Sequence, residues 1–259
     1  MLGPLARRCT TRGAQVETWF SIIVPAYNEQ AVLADTLHSI QASADYLLSE
    51  ASLASEIIVV DDQSTDSTHK IARDFGCTVI KAQHRGIGAA RNFGAQAASG
   101  HFLTFVDADT RVPLHLLTSI LDATKEGLVA GPVTPVYTPI YWWHHPYFAA
   151  WRWYASRNNM AQGVCQFSDA ELFHHVGGYD ESLKHAEDTD LHRRLAAHQQ
   201  SLRQGASVGP VPGVTVQPSM RRYEQSSFWW TILKLNPIVT KRNLNSQRFW
   251  SEWYVQPPR

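Results

Sequence analysis

Four short, predominantly apolar runs, each followed by a stretch of helical spacing, constrain this chain more than any other feature. They are Phe20-Ser21-Ile22-Ile23-Val24, Ile57-Ile58-Val59-Val60, Thr78-Val79-Ile80 and Phe102-Leu103-Thr104-Phe105-Val106. Strands that are apolar on both faces belong in a parallel sheet covered by helices on each side. The intervening segments supply those helices. Leu33, Leu37 and Ile40 recur at spacings of four and three, and the Ala- and Ser-rich sequence from Gln41 to Ser55 extends that helix or forms another. A helix from about Ser67 to Phe75 stops at Gly76, and one from Ile87 to Ala98 ends before Gly100. A further helix from Pro113, carrying Leu117, Ile120 and Leu121, leads to a strand near Leu128 to Ala130. The expected class is α/β. In such a fold the βα loops open at the carboxyl edge of the sheet, so Tyr27, Asp61-Asp62, Arg85 and Asp107 to Asp109 are expected to converge there.

At 259 residues the chain can build one large domain or two small ones with a proper core. Lys plus Arg and Asp plus Glu both number 23, so no basic field argues for nucleic acid. Cys9, Cys77 and Cys165 are odd in number and lack metal or redox spacing, which fits a reducing compartment. No secretory signal is recognisable near Met1, and no apolar stretch is long enough to span a bilayer. The expected location is cytoplasmic, with attachment to the inner membrane face left open. Residues 1–18 read as a leader, 19–218 as the principal domain and 219–259 as a basic, aromatic extension. In that extension Arg221, Arg222, Lys234, Lys241, Arg242 and Arg248 interleave with Phe228, Trp229, Trp230, Phe249, Trp250 and Trp253. Such a segment docks on its own domain or lies on an anionic bilayer. The stretch from Tyr141 to Tyr154 holds four of the nine Trp. Its favoured reading is a helix packed across the sheet with Trp rings as core, against an acceptor platform or a membrane-interface belt.

The polar residues at the strand ends carry the chemistry. Asp107-Ala108-Asp109 closes the fourth strand with two carboxylates, and oxygen ligands suit a hard cation such as Mg²⁺ or Mn²⁺. Val24-Pro25-Ala26-Tyr27-Asn28-Glu29 is a Pro turn in which Asn28 is expected to cap the next helix and Tyr27 to pack on a base or ribose. Adjacent Asp61 and Asp62 repel each other unless each finds a donor or cation, and a base N–H or ribose hydroxyl would serve. Arg85-Gly86-Ile87-Gly88-Ala89-Ala90-Arg91-Asn92 opens a helix whose amino end favours anions, although its glycines serve helix–sheet packing equally well. It matches neither the dinucleotide fingerprint nor a phosphate-binding loop. Glu187 and Asp188 either cap the helix from Leu191 to His198 or provide a general base; a free Asp, with a pKa of about 3.9, is ionised at neutral pH. Arg221-Arg222, after the possible strand Val214-Thr215-Val216, reads as a solvated face or as a clamp on a diphosphate. His144-His145 and His174-His175 lack metal-ligand spacing.

Taken together, VPAYNE at 24–29, VVDDQSTDST at 59–68, RGIGAARNFGAQAASG at 85–100, DAD at 107–109, GGYDE at 177–181 and EDTDL at 187–191 resemble the family 2 glycosyltransferases of the GT-A fold. The resemblance implies a Rossmann-like, mostly parallel sheet whose amino half binds a nucleotide-sugar and whose carboxyl half shapes the acceptor site. It implies that Pro25, Ala26, Tyr27, Glu29 and Asp62 hold the nucleoside with Arg85 nearby, and that Asp61 accompanies Asp62. It also implies that Asp109 binds the metal, that Asp107 serves the ribose or metal shell, and that Asp188 is the base. The absence of Gln-x-x-Arg-Trp after EDTDL argues against a processive synthase.

The expected activity is transfer of one sugar from a nucleotide-diphosphate-sugar, a UDP-sugar in the favoured case, to an acceptor hydroxyl on a glycan, lipid or small molecule. It would be metal-dependent and inverting. Two alternatives stand beside it. A nucleotidyltransferase on a similar fold would need a Gly-rich, basic loop after the first strand, where this chain has Pro-Ala-Tyr-Asn-Glu. A non-catalytic nucleotide-sugar or glycan-binding module would not need Asp107, Asp109 and Asp188 together.

Overall fold

Strand β1 (Thr18–Ala26) alternates its side chains between two cores, and this double burial organises the molecule. Ile22 and Val24 point to one side, where they meet Leu33, Leu37 and Ile40 of helix α1 (Leu33–Ala51) and Leu116, Leu117 and Ile120 of helix α4 (Leu116–Lys125). Ile23 points to the other side, toward Ala90 and Ala95 of helix α3 (Ile87–Ala97). Each fully buried side chain of this size contributes roughly 1.5–3 kcal/mol. The computed structural model describes residues 17–83, 86–139, 141–157, 163–183, 185–198 and 205–221.

The remaining elements in chain order are β2 (Ala54–Asp61), α2 (Thr68–Asp74), β3 (Thr78–Lys81), β4 (Phe102–Val106), β5 (Thr110–Arg111), β6 (Leu128–Pro132), β7 (Thr134–Pro135), α5 (His144–Arg157), β8 (Cys165–Asp169), α6 (Ala170–His175), α7 (Glu187–His198), β9 (Ser207–Val208) and β10 (Thr215–Pro218). Among the described residues they form a seven-stranded sheet in the order β3-β2-β1-β4-β8-β6-β9 and a three-stranded sheet in the order β5-β10-β7. Strands β3, β2, β1 and β4 run parallel, as their apolar sequences require, and β8 is antiparallel to both its neighbours. The sheet is therefore mostly parallel, with helices on both faces.

Strand order reverses at β1, which has β2 on one side and β4 on the other. The loops after β1 and β4 diverge at such a point and leave a crevice between them. The VPAYNE and DAD segments stand on its two walls.

Of the two readings for Gln41 to Ser55, the extended helix holds: α1 runs unbroken to Ala51, closed by Ser52 in the left-handed region at φ 56°. One expectation changes. In the aromatic segment two of the four Trp rings expected as core are not buried. Trp142, in the turn leading into α5, is 83% exposed and Trp153 is 59% exposed. Cys77 and Cys165 are free thiols, and burial raises the pKa of Cys77 to about 11. The leader up to residue 16, Arg85, and residues 222–259 of the basic extension lie outside the described residues.

Candidate functional site

The first wall of the crevice is a pair of interlocked loops. Asp62 N–H donates to the Ala26 carbonyl at 2.8 Å, extending the β1–β2 pairing past the strand ends. Asn28 adopts φ 53° and does not cap α1. Its backbone N–H donates to Ser64 Oγ at 2.9 Å, and its side-chain oxygen accepts from Thr65 N–H at 2.7 Å. Glu29 N–H reaches Thr68 Oγ1 at 2.7 Å, and Asp66 accepts from Gln30 N–H and Thr68 N–H. These bonds replace a conventional helix cap and fix where Tyr27 and Glu29 project.

The two adjacent aspartates separate in role. Asp61 is 2% exposed; its Oδ1 accepts from Ser64 N–H at 2.8 Å and its Oδ2 lies 3.4 Å from His69 Nδ1. The expectation that Asp61 contacts a nucleoside is therefore corrected: its carboxylate is turned into the loop and holds its shape. Asp62 remains at the crevice, accepting from Gly86 N–H at 3.2 Å. The amino end of α3 thus points at Asp62.

The second wall is built by the DAD segment and one buried arginine. Arg91, 1% exposed, donates to Asp107 Oδ1 at 2.8 Å, to Glu187 Oε1 at 3.0 Å and to the Gly163 carbonyl at 3.0 Å. Its guanidinium lies over the Tyr179 ring, 5.1 Å from the centroid. Burial opposes its charge, but the surrounding groups, Asp107, Glu187 and Asp188 among them, outweigh that and hold it ionised. A guanidinium at this depth is tolerable only when each face finds an acceptor. Sequence reasoning assigned no role to Arg91. The available signal was a lone arginine among Gly88, Ala89, Ala90, Gly94 and Ala95, on the face of α3 that must be buried.

The GGYDE segment serves the same junction. Tyr179 N–H donates to Asn92 Oδ1 and Asn92 Nδ2 donates to the Tyr179 carbonyl, both at 2.9 Å. A Cβ on Gly178 would lie 2.6 Å from Asn92 Oδ1, on a backbone at φ 68°, so the close approach needs glycine. The buried Tyr179 hydroxyl donates to Gln166 Oε1 at 3.0 Å.

Asp188 follows Glu187 at the start of α7. Its Oδ1 accepts from Thr189 N–H at 2.7 Å and its Oδ2 from Gly163 N–H. Gly163 therefore ties the candidate base and Arg91 together, one N–H to Asp188 and one carbonyl to the guanidinium. Burial and the neighbouring Glu187 raise the pKa of Asp188 to about 7, against the lowering effects of Arg91 and the two N–H donors. This differs from the ordinary Asp value expected from sequence. The residue as a whole is half-buried.

Asp109 is reached from the other end of the chain. Strand β10 pairs with β5, Ser219 N–H donates to the Asp109 carbonyl at 3.0 Å, and Arg221 follows. Arg221 Nη2 lies 2.5 Å from Glu29 Oε2 and 3.3 Å from Asp109 Oδ2. It is thus no solvated face; it bridges the VPAYNE and DAD walls. A cationic group already beside Asp109 shows that this position holds positive charge. Asp107 and Asp109 together fit a hard divalent ion that takes one or two carboxylates and completes its shell with phosphate oxygens and water. Among the described residues no group of three or more His, Cys, Asp or Glu could hold an ion without such help.

Pro25, Ala26, Tyr27, Glu29, Asp62, Asp107, Asp109 and Asp188 thus share one sheet edge, connected through Arg91, Gly163 and Arg221.

A mostly parallel sheet with helices on both faces and carboxylates at its switch point has the architecture of the GT-A fold. The profile of Glycosyl transferase family 2 matches residues 21–182, and the chain belongs to that family. It is 34% identical over 99 residues to Glycosyltransferase GlyA of Streptococcus pneumoniae, covering 36% of this chain and 13% of that protein. It is 33% identical over 126 residues to Glycosyltransferase AglE of Haloferax volcanii, covering 45% of this chain and 40% of that protein. The matches therefore span less than half of either relative. Among solved structures, S. aureus TarS 1–349 in complex with UDP-GlcNAc superposes with a TM-score of 0.59 at 17% identity, covering 91% of this chain and 69% of that one. The mannosyltransferase PcManGT from Pyrobaculum calidifontis, in complex with GDP-Man and Mn²⁺, gives 0.57 at 20% identity, covering 78% and 56%. These likenesses establish the fold.

Proposed function

We propose that the protein transfers one sugar from a nucleotide-diphosphate-sugar, with a UDP-sugar as donor, to an acceptor hydroxyl, inverting the anomeric centre. The observation that carries this is that Arg91 and Gly163 join Asp188, with a pKa of about 7, to Asp107 at the end of β4. Pro25, Ala26, Tyr27, Glu29 and Asp62 form the nucleoside wall, and Arg85, which lies outside the described residues, belongs to the same group by resemblance. A Mg²⁺ or Mn²⁺ ion held by Asp109 and Asp107 would supply positive charge to the departing diphosphate. Arg221, released from Glu29 and Asp109, would add a second cationic group at the same oxygens. Asp188 takes the acceptor proton as the hydroxyl attacks from the face opposite the diphosphate. A base with a pKa near the working pH contributes roughly 10²–10⁴ in rate. Asp107 is held by Arg91 and does not move to meet its ligand.

The fold neighbours bound to GDP-Man with Mn²⁺ and to UDP-GlcNAc support a nucleotide-sugar donor and a divalent ion. A nucleotidyltransferase is disfavoured by the ordered Pro-Ala-Tyr-Asn-Glu turn, which offers no Gly-rich basic loop to a triphosphate. A binding module is disfavoured by the retention of Asp107, Asp109 and Asp188 together. Peripheral membrane contact through the basic, aromatic segment after residue 218 belongs to the same reading. Among the described residues no helix is long and apolar enough to cross a membrane.

The test is a panel of UDP- and GDP-sugars assayed for nucleotide release with Mn²⁺ and Mg²⁺. Asp188→Asn is expected to abolish transfer while binding UDP with Mn²⁺ as tightly as the wild type. Asp109→Ala is expected to lose metal-dependent UDP binding in calorimetry. Wild-type turnover in the first variant would remove the base, and unchanged affinity in the second would remove the metal site.

A further inference from the structure

Helix α5 exposes aromatic side chains on its outward face. His144 and Phe148 face inward and are buried, at 0% and 7% exposure. The opposite face carries Trp142, Pro146, Ala149, Ala150 and Trp153, all exposed and three or four residues apart, with Arg157 one turn further. A helix of a globular protein normally turns charged and polar residues outward. Here the outward stripe is apolar and aromatic. Four of the six large apolar side chains exposed among the described residues (Val136, Tyr141, Trp142, Trp153) fall within this one stretch.

The charge is equally one-sided. The 42 residues between Glu126 and Asp169 contain no Asp or Glu, in a chain whose acids and bases balance overall. Exposed Arg152, Arg157 and His145 flank the aromatic stripe. The Arg157 guanidinium lies over the Trp153 ring, 4.5 Å from the centroid. Surface tryptophans beside arginines, with acids excluded, suit the boundary between anionic headgroups and acyl chains.

We propose that the outward face of α5 lies on an anionic phospholipid bilayer. It is a contact separate from the segment after residue 218, and it stands next to the catalytic centre. From Arg157 to Gly163, which donates to Asp188, the chain can span at most about 20 Å. A bilayer against α5 therefore lies close to the candidate base. Resting on the transferase reading above, this makes the acceptor a membrane-borne hydroxyl compound presented at headgroup level.

The experiment uses the full chain with no nucleotide present. Co-sedimentation is measured with phosphatidylcholine vesicles and with mixed phosphatidylcholine–phosphatidylglycerol vesicles. The wild type is expected to bind the mixed vesicles, with a blue shift of tryptophan emission. Trp142→Ser with Trp153→Ser is expected to weaken that binding about tenfold or more. Arg152→Gln and Arg157→Gln should each weaken it about fivefold, on the anionic vesicles alone. Both tryptophans are exposed, so the double variant should retain the wild-type melting temperature.

Vesicle binding unchanged in the double variant would overturn the proposal, and so would a wild type that binds neither vesicle. Loss of binding only on changing Trp229, Trp230 or Trp250 would place the membrane contact entirely in the later segment. A wild type that sediments as a dimer, with a monomeric double variant, would make α5 a contact between copies of the chain. UDP binding with Mn²⁺, measured in parallel, tests the transferase site by itself, so the two readings fail independently.

Discussion

At Asp188 the local environment moves a carboxyl far from its ordinary behaviour. A carboxyl with a pKa of about 7 is half protonated at neutral pH and can both accept and hold a proton there. The acidic limb of the turnover profile should therefore have its midpoint near that value and not near the free-Asp value of about 4. Nucleotide release measured across the pH range checks this. The same shift has a stability consequence of definite sign. The folded pKa lies above the unfolded one, so the contribution of this carboxyl to stability is present below about pH 4 and lost as pH rises through about 7. Asp188→Asn should accordingly melt higher than wild type above that range and gain nothing at acid pH. Scanning calorimetry at the two ends decides it, and the opposite ranking would mean that the site favours the anion. Arg91 is the complementary case. Arg91→Met leaves Asp107 and Glu187 buried without their shared counter-charge, a loss on the order of 3–5 kcal/mol, which a urea titration would register.

At the scale of elements, helix α3 shows how packing overrides propensity. Replacing a mid-helix glycine by alanine ordinarily stabilises by roughly 0.8–1 kcal/mol. At Gly94 a Cβ would lie 2.3 Å from Ile23 Cγ2 and 3.0 Å from Val60 Cγ2, and both side chains are fully buried in the central strands. Overpacking of this kind costs about 1–3 kcal/mol, so Gly94→Ala should lower the melting temperature in spite of its helix propensity. The elements themselves were unequally legible. Strands β1, β2 and β4 read correctly because burial on both faces leaves a run that is apolar apart from Ser21 and Thr104, while the edge strand β3 is only partly buried. Strand β8 did not, because Gln166 and Ser168 alternate with Cys165 and Phe167 although all four are buried. Strands β5, β7 and β9 are two residues each and carry no periodicity to read. Helix α5 had the right spacing, but spacing alone does not say which stripe faces the core. The strand-end carboxylates were visible as motifs, whereas the arginines that connect them were not, since their partners lie 96 and 192 residues away.

Over the whole molecule, Arg221 closes the cleft by joining the loop after β1 to the loop after β4 from near the far end of the described chain. It competes for Asp109 with any cation that binds there; burial opposes its charge, but Glu29 and Asp109 outweigh that and keep it charged. Two opposed effects follow for Arg221→Ala. Without nucleotide, Asp109 loses a competing positive charge, so Mn²⁺ alone should bind more tightly. With nucleotide, the cleft lacks a cationic donor for the diphosphate. A hydrogen bond to a charged group contributes about 1.5–3 kcal/mol, so UDP with Mn²⁺ should bind at least about tenfold more weakly. Calorimetry of the variant with each ligand separates the two. Opposite changes make Arg221 a group that exchanges partners as the donor enters. Parallel losses would instead mean that the bridge to Glu29 merely holds the two walls together, since a purely structural tie has no reason to oppose the ion.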